Sequence, residues 1–271
     1  MRAEQLCIDT ICYNAFPLER ALAGIAECGI RRVELCSSVD SCDHAAPERL
    51  GRGGSGILLR LLESYGLTAV SFSGHADITT EAGLVAFTAR LQLAGDMSIP
   101  IAITPLPPEE AGPEVEERFC RNAVRLADLA AKLGIVMCLE NLGFLMGTSA
   151  QCVALLQRLK HPNIRINYDP AAGIYFTGDK PTKDDIAVLG PHLAHFHVND
   201  KASLEKGKWD FRPIGEGIVE WDSILGELDR VGFTGPASIE LEWEVPPKLP
   251  EVVDSAVRRS IQFLQKYFKA N

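Results

Sequence analysis

The chain has 271 residues, 46% of them hydrophobic, and a formal net charge of −9. The acidic balance speaks against nucleic acid as a main partner, because neutralising phosphates takes a basic surface. No apolar run reaches the roughly 18 residues of a membrane span, so we expect no membrane partner.

Eight cysteines are distributed along the chain, none in a CxxC pair and several inside apolar runs. This pattern is typical of reduced core cysteines, not of a zinc–thiolate site. The first residues also lack a basic stretch followed by an apolar one, as a secretory signal would have. We therefore expect a cytoplasmic protein.

Short apolar runs alternate with helical patterns along the chain. The runs predict strands that are buried on both faces, at 5–12, 32–36, 68–73, 99–104, 135–140, 164–169, 193–198 and 236–241. Helical patterns fall near 17–28, 57–65, 79–95, 114–133, 148–160, 183–188, 221–231 and 250–269. Eight such alternations favour the α/β class and a single (β/α)8 TIM barrel, with residues 1–271 as one domain. The competing open sheet would show a GxGxxG after the first strand, which the sequence lacks.

Three segments read as loops. GRGGSG (51–56) predicts a flexible loop and not a phosphate cradle, because it follows no strand and lacks the Lys-Ser/Thr ending. The Pro-rich segment 104–114 follows the fourth strand, and the insert 198–221 follows the seventh. Both leave the expected active-site face of a barrel, so both are lid candidates.

Four polar residues each end an apolar run: Glu140 in IVMCLE, Asp169 in IRINYD, His197 in LAHFH and Glu240 in ASIE. The first two gaps, 29 and 28 residues, each match one strand-plus-helix unit of roughly 30 residues. Successive barrel strands would then deliver one side chain each to the same rim. Each carboxylate alone could form a salt bridge and the histidine could be a core residue. Three clustered carboxylates, however, would repel one another without a cation, and the set suits a divalent metal ion.

At these residues the chain resembles the sugar isomerase/epimerase superfamily with a xylose-isomerase-like barrel. The resemblance lies in LEN (139–141), YDP (168–170), HFHVND (195–200), PIGEG (213–217) and GFTGPASIE (232–240), with VEL (33–35) in the second strand. It implies Glu140, Asp169, His197 and Glu240 as ligands of manganese, magnesium, cobalt or zinc. It also implies a small carbohydrate or polyol substrate and a possible homo-oligomer.

The implied chemistry is proton transfer next to a carbonyl through a metal-stabilised enediolate. Glu140 and Glu240 would be the catalytic residues, one taking the proton and the other returning it. Two bases suit epimerisation, and one base that reuses its proton suits aldose–ketose transfer. The sequence does not choose between these two reactions.

Five further residues are candidate substrate contacts: Arg212, His75, Glu34, His195 and Trp243. The guanidinium of Arg212 suits a substrate oxygen or a phosphate, while the other four residues each have a structural alternative. His75 could cap a loop, His195 could be a core residue, and Glu34 could pair with Arg31 or Arg32. We expect Asp200 to support His197 or a neighbouring strand, and we expect Trp209 and Phe211 near the mouth, more as lid anchors than as stacking faces.

Two departures from the family pattern bear on the substrate. Ketose 3-epimerases and hydroxypyruvate isomerases of the family usually carry a histidine where this chain has Ala172, and Asn199 stands where a lysine is commoner. A lyase or dehydratase acting on a keto-inositol or keto-sugar is therefore the alternative function. An apurinic-site endonuclease fits less well, since it needs more ligands and a basic groove, and a non-catalytic sugar-binding barrel would not need the four residues.

Overall fold

Eight parallel strands close into a barrel within residues 1–104 and 112–269, the part of the chain that the computed structural model describes. The barrel strands are β1 (Leu6–Asp9), β2 (Arg32–Cys36), β3 (Thr68–Ser73), β4 (Ile101–Ile103), β5 (Val136–Glu140), β6 (Ile164–Tyr168), β7 (Leu193–Val198) and β10 (Ala237–Ile239). β10 pairs with both β7 and β1, which closes the ring. The predicted α/β barrel is therefore confirmed.

Helices lie between the strands on the outside of the barrel. They are α1 (Leu18–Glu27), α2 (Pro47–Leu50), α3 (Gly54–Ser64), α4 (Glu81–Asp96), α5 (Pro113–Lys132), α6 (Gly143–Met146), α7 (Ser149–Leu159), α8 (Pro170–Thr177), α9 (Lys183–Leu189), α10 (Trp221–Arg230) and α11 (Pro250–Leu264). Short 3-10 helices cover Ala3–Gln5, Thr10–Tyr13 and Gly190–His192. None of the helices in the described part of the chain combines the length and apolar content needed to cross a bilayer.

Helix periodicity places one face of each long helix on the barrel. In α5 the buried residues are Phe119, Ala123, Leu126, Ala127 and Ala130, which share one stripe of the helix. In α11 a similar stripe is buried, made of Val253, Val257, Ile261 and Leu264, and Phe268 beyond the end of the helix is buried as well. The strands are buried along consecutive positions, as β1 and β4 show. Each strand is covered by packed side chains inside the barrel and by helices outside it, which explains this pattern.

Two predicted boundaries differ from those in the structure. The first strand ends at Asp9, not at residue 12, because the Asp9 carboxylate accepts from the backbone N–H of Ile11 at 2.8 Å and starts a 3-10 turn. The expectation of a loop through GRGGSG was wrong from Gly54 onwards. There α3 begins early enough to bury Leu58 and Leu62. In the predicted lid segment 104–114, residues 105–111 lie outside the described residues.

The long insert after β7 has its own structure. β8 (Asp200–Lys201) and β9 (Phe211–Arg212) form an antiparallel pair at its base. The buried Lys201 ammonium donates to the Asp210 carboxylate at 2.5 Å and to two backbone carbonyls of the same loop. These contacts fold the insert back toward the carboxyl ends of the barrel strands.

Candidate metal centre

Four neighbouring strands bring Glu140, Asp169, His197 and Glu240 together at the carboxyl end of the barrel. Glu140 ends β5, Asp169 directly follows β6, His197 lies in β7 and Glu240 directly follows β10. One ligand atom from each residue lies within 4.8 Å of those of the others, and all four side chains are buried. We call these four residues the carboxylate cluster.

The imidazole of His197 is the centre of the carboxylate cluster. Its Nδ1 lies 3.1 Å from Oε1 of Glu140, 3.1 Å from Oε2 of Glu240 and 4.0 Å from Oδ2 of Asp169. The other oxygen of Asp169 accepts from the backbone N–H groups of Ala171 and Ala172, at 2.7 and 2.8 Å, and so caps α8. Capping leaves Oδ2 facing the cluster.

The carboxylate cluster holds more negative charge than its own imidazole balances. The pKa of Asp169 is raised well above its usual value by burial and then by the charges of Glu240 and Glu140. Burial acts to lower the pKa of His197, but Glu240, Glu140 and Glu34 outweigh burial and raise it well above its usual value. Three carboxylates and one imidazole form an oxygen and nitrogen donor set of the kind that divalent ions bind. The residues present therefore fit a divalent metal ion.

A second group of buried polar side chains lies beneath His197. Glu34 receives hydrogen bonds from Nε2 of His197 at 3.0 Å and from the Ser71 hydroxyl at 2.7 Å, and its Oε2 lies 2.8 Å from Nε2 of His195. The Asn167 amide oxygen accepts from Nδ1 of His195 at 2.9 Å. All four residues are fully buried. We call Glu34, Ser71, Asn167 and His195 the inner network.

The inner network settles where two of the predicted substrate contacts lie. Glu34 and His195 sit one layer below the carboxylate cluster, away from the cavity where we expected them to meet substrate. The arginines considered as partners of Glu34 donate to backbone carbonyls instead, Arg31 to Ala26 and Arg32 to Glu4. The placement suits a role through His197, since Glu34 fixes which nitrogen of that ring faces the carboxylates.

The other three predicted contacts differ in position. His75 lines the cavity above the cluster, and its Nε2 donates to Oε2 of Glu140 at 2.7 Å. Arg212 is exposed, donates to the Phe211 carbonyl and lies outside the lining formed by the described residues. Trp243 donates its indole N–H to the Cys12 carbonyl at 2.9 Å and packs against the core beside a different cavity.

A cavity of about 260 Å³ opens above the carboxylate cluster. Its floor carries Glu140, Asp169 and Glu240, while Ser38, Val39 and Ser41 from the loop after β2 contribute to its wall. The opposite wall is aromatic, made by Tyr175, Phe176, Trp209 and Phe211. The rings of Trp209 and Phe211 meet edge to face with centroids 5.0 Å apart. The two predicted mouth aromatics thus lie in the cavity wall.

Sequence reasoning missed one carboxylate and the role of one amide. Glu242 lines the cavity, and the side-chain nitrogen of Asn199 donates to Asp169 and Glu240 at 3.2 Å and to Glu242 at 3.3 Å. The signal for Glu242 was present, because it stands two residues after Glu240 and strand alternation places the two on one side. Ala172, the departure noted above, also lines the cavity.

Asp200 supports the insert and not His197. Its Oδ2 accepts from the backbone N–H groups of Gly215 and Gly217 at 2.9 and 3.2 Å and from the indole of Trp221 at 2.9 Å. Its Oδ1 accepts from the N–H of Val219 at 3.1 Å. A Cβ at Gly217 would lie 2.1 Å from that carboxylate, so only glycine fits there. The prediction that Asp200 supports His197 or a neighbouring strand was therefore wrong.

Comparison with known proteins assigns the barrel to a family. Residues 22–267 match the family described as the xylose isomerase-like TIM barrel, and the chain belongs to that family. Among curated relatives, L-ribulose-5-phosphate 3-epimerase UlaE of Salmonella paratyphi C (strain RKS4594) is 23% identical over 134 residues. The match covers 49% of this chain and 45% of that protein, so the chain spans less than half the length of the curated relatives it matches.

Solved structures resemble the chain over nearly its whole length. The IOLI protein, solved with a zinc atom bound, has a TM-score of 0.79 and 18% identity over 98% of this chain and 99% of that one. D-allulose 3-epimerase from Methylomonas sp. has a TM-score of 0.77 and 18% identity over 99% of both chains. The probable 3-DHS dehydratase AsbF from Bacillus anthracis has a TM-score of 0.74 and 19% identity over 97% and 99%. Likeness at these identities shows the fold.

Proposed function

We propose that the chain is a metal-dependent isomerase or epimerase that moves a proton next to the carbonyl of a small sugar or sugar derivative. One observation carries the proposal. The carboxylates of Glu140 and Glu240 line one cavity, come from strands separated by two others, and each lie 3.1 Å from the same imidazole nitrogen. The relative and the solved structure named as sugar 3-epimerases support the same class of reaction.

The four residues of the carboxylate cluster would hold a divalent ion, for which manganese, magnesium, cobalt and zinc are candidates. Such an ion, when bound, stabilises the negative charge that develops on a substrate oxygen as the neighbouring C–H bond breaks. The solved relative with a zinc atom supports metal binding in this fold.

Glu140 would take the proton as an ionised carboxylate. Burial acts to raise its pKa, but the imidazoles of His197 and His75 outweigh burial and lower the pKa to about 2, so the carboxylate is ionised near neutral pH. His75 also fixes the orientation of Oε2 through its hydrogen bond. Glu240 approaches from the opposite side of the cluster and would return a proton in an epimerisation.

Solvent deuterium exchange tests this assignment. The metal-loaded protein is incubated in deuterated water with ketoses, keto-inositols and 3-keto-sugars, and deuterium at the carbon next to the carbonyl is followed by NMR. We expect Glu140→Gln and Glu240→Gln each to slow exchange by about 10²–10⁴-fold, the usual contribution of a positioned acid or base. Glu63→Gln is the control, because it makes the same change on the exposed face of α3, away from the cavity. Exchange that survives in the double variant would sink the two-glutamate mechanism.

A dehydratase is the second candidate function, favoured by Ala172. Ala172 gives the cavity wall a methyl group at the position where family epimerases usually carry an imidazole. One solved structure that the chain resembles is a probable dehydratase. Such an enzyme would abstract the same proton and then expel a β-hydroxyl group. Loss of water gives a conjugated product with new ultraviolet absorbance, which isomerisation does not.

A further inference from the structure

The charge of the cavity bears on which sugars it can admit. Four carboxylates line it, those of Glu140, Asp169, Glu240 and Glu242, and no lysine or arginine among the described residues does. Residues 105–111, which fall outside that description, read PLPPEEA and contain no basic residue either. A phosphate dianion would therefore meet carboxylates without a side-chain cation to receive it.

Backbone amides also commonly bind phosphate, and two groups of them near the cavity already bond carboxylates of the chain. Barrel enzymes frequently bind phosphate in the loops after the seventh and eighth strands. Here the N–H groups of Gly215, Gly217 and Val219 in the loop after the seventh barrel strand all donate to the carboxylate of Asp200. At the N-terminus of α8, beside the cavity, the carboxylate of Asp169 takes the first amides. An internal carboxylate thus occupies each of these two anion sites.

Three basic side chains, those of Lys201, Arg90 and Arg212, have partners within the chain. Lys201 is fully buried and donates to Asp210. Arg90, also buried, pairs with Glu48 at 2.9 Å. Arg212 is exposed and donates to a backbone carbonyl of its own loop. Freeing Lys201 for a ligand would leave the buried Asp210 carboxylate unpaired. Freeing Arg90 would break its hydrogen bonds to the backbone carbonyls of Ser37 and Ala86.

What the cavity offers suits a neutral polyol. Its carboxylates, with His75 and Ser38, can bond hydroxyl groups, and its aromatic wall can cover the apolar face of a sugar ring. Its volume of about 260 Å³ lies just below the roughly 300 Å³ at which drug-sized pockets begin, so a compact ligand fits.

From this arrangement we infer that the substrate is an uncharged sugar or polyol ketone and not a phosphate ester. The inference rests on the proposed function and names the substrate class of that same site. It separates this chain from the curated relative named for a sugar phosphate, which it matches over less than half its length.

Matched pairs of ligands test the inference. The metal-loaded full chain is offered L-ribulose with L-ribulose 5-phosphate, and D-fructose with D-fructose 6-phosphate, in both deuterium exchange and calorimetric binding. We expect the neutral member of at least one pair to be preferred by about tenfold or more, since the cavity lining offers a phosphate no lysine or arginine, and the neighbouring amide groups already bond carboxylates. A preference for the phosphate ester in either measurement overturns the inference.

The two measurements also separate this inference from the proposed function. Tighter binding of the neutral sugar without exchange would reject the isomerase or epimerase activity and keep the substrate class. Exchange of a phosphate ester in preference to its neutral partner would keep the activity and reject the substrate class. Failure of both members of both pairs to bind counts against both.

A charge added at the rim sharpens the test. Ser41 lines the cavity and is exposed, so a longer side chain can be accommodated there. Ser41→Arg should shift the preference toward the phosphate ester by about threefold or more, while the neutral Ser41→Gln should leave the ratio near that of the parent. An unchanged ratio in Ser41→Arg, or a selective loss of phosphate-ester binding in Arg212→Gln, would contradict the inference.

Discussion

The carboxylate cluster and the inner network bury the same kinds of side chain with opposite electrostatic results. In the inner network one carboxylate, Glu34, lies between two imidazoles and a hydroxyl. Burial acts to raise its pKa, but His195 and His197 outweigh burial and lower it well below its usual value. In the carboxylate cluster three carboxylates share one ring, and the pKa of Asp169 moves the other way. The barrel balances the buried carboxylate of Glu34 and, through His75 and His197, that of Glu140, but it does not balance Asp169.

This electrostatic difference indicates which group of residues stabilises the fold and which group is suited to bind a ligand. A network that satisfies its own charges stabilises the fold, because each buried partner is compensated. A cluster with unbalanced charge destabilises the fold until a cation binds. His197 joins the two, with Nε2 held by Glu34 and Nδ1 turned toward Glu140 and Glu240.

The largest expected effect concerns two substitutions that each remove a negative charge from the metal-free protein. They should change the free energy of unfolding in opposite directions. Glu34→Gln should lower the free energy of unfolding by about 3–5 kcal/mol, because it removes one partner of a buried ion pair. Asp169→Asn should raise it by about 0.5–2 kcal/mol, because it removes repulsion while asparagine still caps α8. Denaturant unfolding at pH 7 with a chelator present measures both.

An exposed loop residue provides the control for this comparison. Asp179 lies on the surface after α8, so Asp179→Asn should change the free energy of unfolding by less than about 0.5 kcal/mol. If Glu34→Gln and Asp169→Asn shift stability in the same direction, the contrast between the two clusters is wrong.

The carboxylate cluster could be predicted from sequence because its signal is local. Glu140, Asp169 and Glu240 each end an apolar run, and the ends of parallel barrel strands converge. The (β/α)8 order was visible for the same reason, since strand and helix periodicities alternate along the chain.

The inner network could not be predicted, because its contacts join residues far apart in sequence. Glu34 bonds His195 and His197 only once β2 and β7 belong to one closed barrel. The nearer arginines looked like partners on sequence distance alone. The insert could not be predicted for the same reason, because no local pattern shows that the Asp200 carboxylate will accept hydrogen bonds from backbone N–H groups as far along the chain as Val219.

The next largest effect is the gain in the free energy of unfolding when a metal ion binds. It tests whether a cation completes the carboxylate cluster. At 100 times its dissociation constant, a divalent ion should raise the free energy of unfolding of the chelator-treated protein by about 2.7 kcal/mol. Asp169→Asn should lose most of that gain, and Asp179→Asn, in the exposed loop after α8, should keep it. Unfolding curves with manganese, magnesium, cobalt and zinc measure the gain. Equal stability with and without each ion would reject a metal site.

The smallest effect concerns a single hydroxyl of the inner network. Ser71→Ala removes a hydrogen bond to Glu34 but leaves the carboxylate between its two imidazoles, so the free energy of unfolding should fall by only about 1–2 kcal/mol. Metal affinity should fall less than in Glu34→Gln, for which loss of the group that orients His197 predicts about 10–100-fold. Titration of the metal into both variants measures the difference.

Ser73 provides the matched control on the same strand. It is equally buried, yet its hydroxyl has no hydrogen-bond partner within residues 1–104 and 112–269, so Ser73→Ala should leave stability unchanged or raise it slightly. A loss in Ser73→Ala as large as that in Ser71→Ala would mean that packing, and not the hydrogen bond to Glu34, carries the effect. A loss confined to Ser71→Ala would show that hydrogen bonding within the inner network stabilises the fold beneath His197.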